Sequence, residues 1–232
     1  MWTRRDFLAV LPPALLLACG EAPETADVAP EEIPGEPYWV FYGPYTRETS
    51  KGIYRSRFDA ATGELSEPEL AAEIENPSYL TIHPNGQYLY AVSETPDGTV
   101  SGYTIDSATG ALSLINTQTT QGGAPCDLEV DRTGKMLVVA NYSTGSTIAY
   151  KVGEDGSLSE PSDFHEHEGS SVHQRQKSPH AHSVDFSADN RFVMVSDLGI
   201  DKVLVYEADV EAGTLEQVGA GTVPAGGGPR HF

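Results

Sequence analysis

From about residue 38 onward, short apolar runs alternate with polar turns that contain glycine or proline. The runs at 88–93 (YLYAVS), 136–141 (MLVVAN) and 192–197 (FVMVSD) are the most apolar. The first two are introduced by Pro84-Asn85-Gly86 and Arg132-Thr133-Gly134. A second series at 52–59, 100–106, 147–152 and 203–209 contains Tyr54, Tyr103, Tyr150 and Tyr206, at spacings of 49, 47 and 56. Behind it come Thr62-Gly63-Glu64-Leu65, Thr109-Gly110-Ala111-Leu112, Asp155-Gly156-Ser157-Leu158 and Ala212-Gly213-Thr214-Leu215, with glycines spaced 47, 46 and 57. Short β-prone runs bounded by such turns predict consecutive antiparallel strands.

A third series leads each unit: Asn76-Pro77-Ser78, Ala124-Pro125-Cys126, Ser178-Pro179-His180-Ala181-His182 and Gly228-Pro229-Arg230. One unit is therefore a proline strand, an apolar strand, a tyrosine strand and the strand after Gly-x-Leu. Four antiparallel strands in a period near 45–50 residues predict the blade of a β-propeller, an all-β fold whose blades stack radially. Around a common axis, the residues after the prolines (Ser78, Cys126, His180 and Arg230) converge. Aligned on the prolines, His182 falls where the other units have Leu80, Leu128 and Phe232, on the same strand face as His180. The third unit is longer by about nine residues, read as a polar loop at 165–177. Residues 38–232 hold about four blades, few for a closed ring, and the sequence stops inside a predicted inner strand. The expectation is the N-terminal part of a longer propeller.

Composition agrees with many turns, at 23 Gly and 16 Pro, and helix signals are nearly absent. The net charge of −20 opposes binding of nucleic-acid phosphates. Residues 1–18 read as an export signal: Arg4-Arg5 resemble a twin-arginine motif ahead of an apolar run, and Leu16-Leu17-Ala18-Cys19-Gly20 resembles a lipobox with Cys19 as the lipidated residue. The run is too short to span a bilayer easily and is broken by Pro12-Pro13, so the membrane enters only through a lipid anchor. Residues 19–37, acidic and proline-rich, read as a disordered linker before a folded domain at 38–232. Export then makes the protein periplasmic or cell-surface. With Cys19 lipidated, Cys126 stands alone and no internal disulfide is available.

The candidate chemistry centres on His180 and Arg230. A neutral histidine can take a proton from water near working pH. An arginine can hold a developing oxyanion or a substrate anion through paired hydrogen bonds. His182 reads as a hydrogen-bonded partner, structural or catalytic, and His231 as structural. Glu94, Asn141 and Asp197 end the apolar strands near the same mouth, as substrate-binding candidates whose simpler role is capping a turn. His165-Glu166-His167-Glu168 contains metal-ligating types but sits in the polar loop with nothing to fix its geometry, so no metal site and no cofactor are assigned. No Gly-x-Ser-x-Gly elbow occurs, and Cys126 reads as a buried thiol.

Several motifs together resemble a known family. Tyr42-Gly43-Pro44-Tyr45-Thr46 with Ser50-Lys51-Gly52-Ile53-Tyr54, Asn76-Pro77-Ser78-Tyr79-Leu80, Leu89-Tyr90-Ala91-Val92-Ser93-Glu94, Val139-Ala140-Asn141-Tyr142, Pro179-His180-Ala181-His182 and Gly228-Pro229-Arg230-His231 are similar to the seven-bladed propeller lactonases. That family includes the propeller-type 6-phosphogluconolactonases and the fungal carboxymuconate-lactonising enzymes. The resemblance implies hydrolysis of a sugar-derived lactone, or the reverse cyclisation, at one end of the channel, and the residue pattern favours an anionic one. It also implies a site using His180 and Arg230, with a glutamate and a second arginine supplied by later blades. The alternative is a non-enzymatic exported propeller that binds a ligand or protein partner.

Overall fold

A computed structural model describes residues 38–232, which form sixteen strands in four antiparallel sheets. The export signal, Cys19 and the linker lie outside the described residues. The first sheet contains β1 (Tyr38–Tyr42), β2 (Gly52–Asp59) and an outer strand split into β3 (Glu64–Leu65) and β4 (Glu69–Glu73). The second runs β5 (Leu80–Ile82), β6 (Tyr88–Ser93), β7 (Thr99–Ile105), β8 (Leu112–Thr119). The third runs β9 (Pro125–Val130), β10 (Met136–Asn141), β11 (Ser146–Lys151), β12 (Asp163–Glu166). The fourth runs β13 (Ala181–Phe186), β14 (Phe192–Asp197), β15 (Lys202–Asp209), β16 (Thr214–Thr222). The first strands β5, β9 and β13 lie beside one another at the inner edge, the arrangement predicted for propeller blades.

The gradient of burial explains the sequence pattern. All six residues of β10 are buried, because its sheet is covered on both faces by its neighbours, so the strand reads as an unbroken apolar run. β16, at the outer edge, is almost wholly exposed and carries no such run. Gly63, Gly110, Gly156 and Gly213 take φ of 75°, 67°, 78° and 74°, the left-handed conformation that their hairpin turns require. Three of these turns are also capped by an aspartate, with Asp59, Asp106 and Asp209 accepting backbone N–H bonds from Ala61, Thr109 and Ala212. Tyr103 and Tyr206 each precede their capping aspartate by the same interval as Ser56 precedes Asp59. Tyr54 is therefore displaced by two positions from the tyrosine series.

The register of the inner strands departs from the proline alignment. β6, β10 and β14 are each six residues long, and their equivalent residues Ala91, Val139 and Val195 face Leu80, Leu128 and Val184. Stepping back two residues along each inner strand gives Ser78, Cys126 and His182. His182, not His180, is thus the counterpart of Cys126, and Val184 takes the core position predicted for His182. Pairing of the core face sets strand register, whereas a proline at the strand entrance can slide. Bulges mark the spot in two sheets. Pro125 pairs with Asn141 while Asp127 pairs with Ala140, and Ala181 pairs with Asp197 while Ser183 pairs with Ser196. Cys126 and His182 are the extra residues, and a bulge turns such a side chain off the alternating pattern.

Residues 228–232, predicted as an inner strand, form no strand pairing. A strand exists only against a partner, and this segment pairs with none of the described strands.

Candidate functional site

A cavity of about 840 Å³ opens where the inner strands and their preceding loops meet. Ser78, Cys126, His182 and Arg230 all line it, so three of the four positions predicted to converge do so, with His182 in place of His180. The exchange arises because Pro179 lies two residues further from its core partner, Val184, than Pro125 does from Leu128. His182 is half-buried, and its Nε2 accepts a hydrogen bond of 2.9 Å from Arg230 Nε. Nε2 being the acceptor, Nδ1 bears the proton, and that atom is buried without a hydrogen-bond partner among the described residues. Burial, then the neighbouring Arg230 charge, pushes the His182 pKa below its ordinary value and keeps the ring neutral.

His180 stands behind this surface. Its ring stacks on Tyr142 at 4.7 Å between centroids, and its Nδ1–H donates to the Tyr142 carbonyl at 2.9 Å. Tyr142 in turn meets the edge of His182 at 5.8 Å and lines the cavity, which His180 does not. His231 also packs edge-on against His182, at 4.9 Å, and belongs to the lining.

The three strand-end candidates separate. Glu94 lines the cavity and accepts a 2.7 Å hydrogen bond from the Tyr45 hydroxyl, whose pKa is raised by burial and by Glu94 itself. Asn141 is fully buried and turned inward, its amide donating to Thr120 O and Ser146 Oγ. Asp197 is likewise fully buried; its Oδ1 accepts the backbone N–H groups of His180 at 2.7 Å and Gly199 at 2.9 Å. Neither reaches the cavity. Cys126 is a lining residue, but burial pushes its thiol pKa far up and its sulfur lies against the carbonyls of Ala140, Ala181 and His182. It is a packed thiol, not a nucleophile.

The polar insertion is better ordered than its composition suggests. His165 and Glu166 belong to β12, and His167 is locked by Asp197 Oδ2 at 2.7 Å, Thr147 Oγ1 at 3.0 Å and Tyr206 OH at 3.2 Å. Beyond His167 the chain crosses to the inner edge, where His173, Arg175 and Gln176 line the cavity and Arg175 Nη2 donates to Tyr142 OH at 3.0 Å. Sequence reasoning missed these residues. A signal was present, since an insertion joining an outer strand to the next inner strand must end at the inner edge. Among the described residues no group of three or more His, Cys, Asp or Glu is arranged to hold a metal ion.

A smaller hollow of about 120 Å³ shares Tyr79 and His231 with the cavity and is lined by Asp127, Glu129 and Asp185. Burial lifts both Asp127 and Glu129 to about 7.

A family description, a seven-bladed β-propeller lactonase, matches residues 39–232. The chain is 37% identical over 196 residues to a 6-phosphogluconolactonase of Bacillus subtilis, covering 84% of this chain and 56% of that one. A second 6-phosphogluconolactonase, from Formosa agariphila, is 34% identical over 201 residues, covering 83% and 57%. Among solved structures, the periplasmic gluconolactonase of Pseudomonas aeruginosa superposes with a TM-score of 0.77 at 36% identity, covering 84% of this chain and 58% of that one. A Bacteroides fragilis crystal structure superposes with a TM-score of 0.79 at 37% identity, covering 87% and 59%. The chain thus spans little more than half the length of these relatives.

Proposed function

This chain belongs to the seven-bladed β-propeller lactonase family, and from that membership we propose that the full-length protein hydrolyses an anionic, sugar-derived lactone at the His182–Arg230 cavity. The observation behind this reading is the 2.9 Å bond from Arg230 Nε to a neutral His182 inside a roomy cavity. Arg230 is exposed, so its outer N–H groups are available to a substrate anion or carbonyl oxygen. As the guanidinium moves onto the substrate, His182 Nε2 is freed with its lone pair facing the cavity. It takes a proton from water while the water oxygen bonds to the lactone carbonyl carbon. The ring C–O bond then breaks, and the departing alkoxide recovers the proton from His182, leaving a hydroxy acid. His180 supports the site by holding Tyr142, and Glu94 offers a polar contact for substrate hydroxyls. Asn141 and Asp197 act from behind as structural partners.

Export and lipidation at Cys19 belong to the same proposal, supported by the sequence motifs and by the periplasmic relative. An extracytoplasmic location favours a sugar-acid lactone supplied from outside. The test is a panel of charged and uncharged lactones given to the full-length protein. Faster opening of the charged members than of uncharged gluconolactone is expected, and no turnover above the spontaneous rate would defeat the reading.

The same chemistry sets the pH profile. Protonation of His182 removes the base, and its pKa lies below the ordinary value of about 6.5. The acid limb of kcat/KM is therefore expected below pH 6.5. Arg230→Gln removes a charge that opposes protonation, so the limb should move upward. A limb unmoved by Arg230→Gln would assign the ionisation to another group.

A further inference from the structure

Two arginines, Arg175 and Arg230, stand at the cavity of a chain with only 14 basic residues against 34 acidic ones. They come from separate segments without strand structure, the insertion before β13 and the turn after β16. Guanidinium groups on unpaired segments need an external anchor if their spacing is to be fixed before substrate arrives.

One buried carboxylate joins both segments. Asp201 is 3% exposed, and its Oδ1 accepts from Gln176 Nε2 at 2.6 Å and Gly228 N at 2.7 Å. Its Oδ2 accepts from Gly226 N at 2.7 Å and from Ser171 Oγ. Burial opposes the charge, but these four donors outweigh it and hold the pKa down to about 2. Gln176 also donates to Leu198 O at 2.7 Å and accepts from His173 N at 3.0 Å, so it ties its own loop together beside Arg175. Gly228 stands two residues before Arg230.

The backbone gives a second, independent sign. The turns 142–145 and 198–201 occupy equivalent places between paired strand ends, Asn141↔Ser146 and Asp197↔Lys202. The last residue of each is left-handed, with φ of 60° at Gly145 and 56° at Asp201. Glycine suits that conformation, and an aspartate there accepts a backbone cost that only its side-chain bonds offset.

We propose that Asp201 is a positioning residue whose carboxylate ties residues 171–176 to residues 226–228 and so sets where Arg175 and Arg230 stand at the cavity. It acts through the arginines and touches no reacting atom. The inference rests on the anion-binding part of the reading above, not on turnover.

The test is calorimetric titration of the full-length protein with inorganic phosphate at fixed ionic strength. Asp201→Asn, which keeps the shape and tolerates the left-handed turn, should raise the phosphate Kd about tenfold. Arg175→Ala should do likewise, and the double variant should be worse than either single one but less than additive, because Asp201 also acts through the Arg230 segment. If Asp201→Asn unfolds the protein, Gln176→Ala serves instead, since it leaves Asp201 tied to Gly226 and Gly228. Its effect should vanish in the Arg175→Ala background and persist in the Arg230→Ala background. A purely structural role would lower Tm and leave these couplings absent. Full additivity with Arg175→Ala, a Kd within twofold of wild type in Asp201→Asn, or no phosphate binding by the wild type would each overturn the proposal. Lactone hydrolysis is scored separately, so its failure and the failure of this inference remain distinct.

Discussion

Replacing Arg230 by alanine in the full-length protein is expected to lower kcat/KM for a charged lactone about a hundredfold or more, while leaving the melting temperature unchanged. The magnitude follows from removing a donor aimed at developing negative charge, which costs ~100- to 1,000-fold in comparable enzymes. Stability should be spared because Arg230 is exposed and lies outside all strands. Arg230→Lys separates two contributions. Lysine keeps the charge but loses the planar fork and the Nε–H that bonds His182, so an intermediate loss is expected. Against an uncharged lactone, the alanine variant should lose less, because only the carbonyl contact is then at stake. Equal losses on charged and uncharged substrates would place Arg230 at the carbonyl oxygen alone. No loss on either would remove it from the mechanism.

The second large effect concerns folding. Asp197→Ala should destabilise the protein by about 3–5 kcal/mol, read as a shift in urea midpoint at constant slope. Asp197 is fully buried, and its loss strands His180 N, Gly199 N and His167 Nδ1 without an acceptor. Each orphaned buried donor costs about 1–3 kcal/mol. Asp197→Asn should be milder. An amide oxygen can still accept from the two backbone groups, and an asparagine, Asn141, already occupies the equivalent place in the third sheet. A loss near zero for Asp197→Ala would mean that water replaces the carboxyl group and that the site is less closed than it stands here.

The two effects separate what Asp197 and Arg230 share in the sequence, where both look like polar residues near a channel mouth. Whether a polar group at a strand end faces the cavity or the interior depends on which neighbour captures it. Glu94 meets Tyr45 across the mouth, whereas Asp197 is captured by His167, thirty residues earlier in the chain. Neither partner is announced by local spacing. The insertion shows the same limit, since its polarity suggested a loose loop. In fact its polar groups are used against Asp197, Asp201 and Tyr142, which leaves Arg175 at the cavity.

The histidine pair is the sharpest case. His180 follows a proline as Ser78 and Cys126 do, so alignment by turn residues selects it. Leu80, Leu128 and Val184 instead align by the core they share, and that alignment selects His182. Core burial involves apolar side chains from neighbouring sheets, while an entrance proline makes only local demands.

The chain's own periodicity settled the architecture: turn glycines, capping aspartates and apolar runs repeat because every blade solves the same local problem. It also settled that the inner-edge residues would meet. Tertiary structure alone decided which of them reach the cavity. The register of β13 against β14, the capture of Asp197 by His167 and the tying of two segments by Asp201 all depend on tertiary pairing, and no local pattern encodes them.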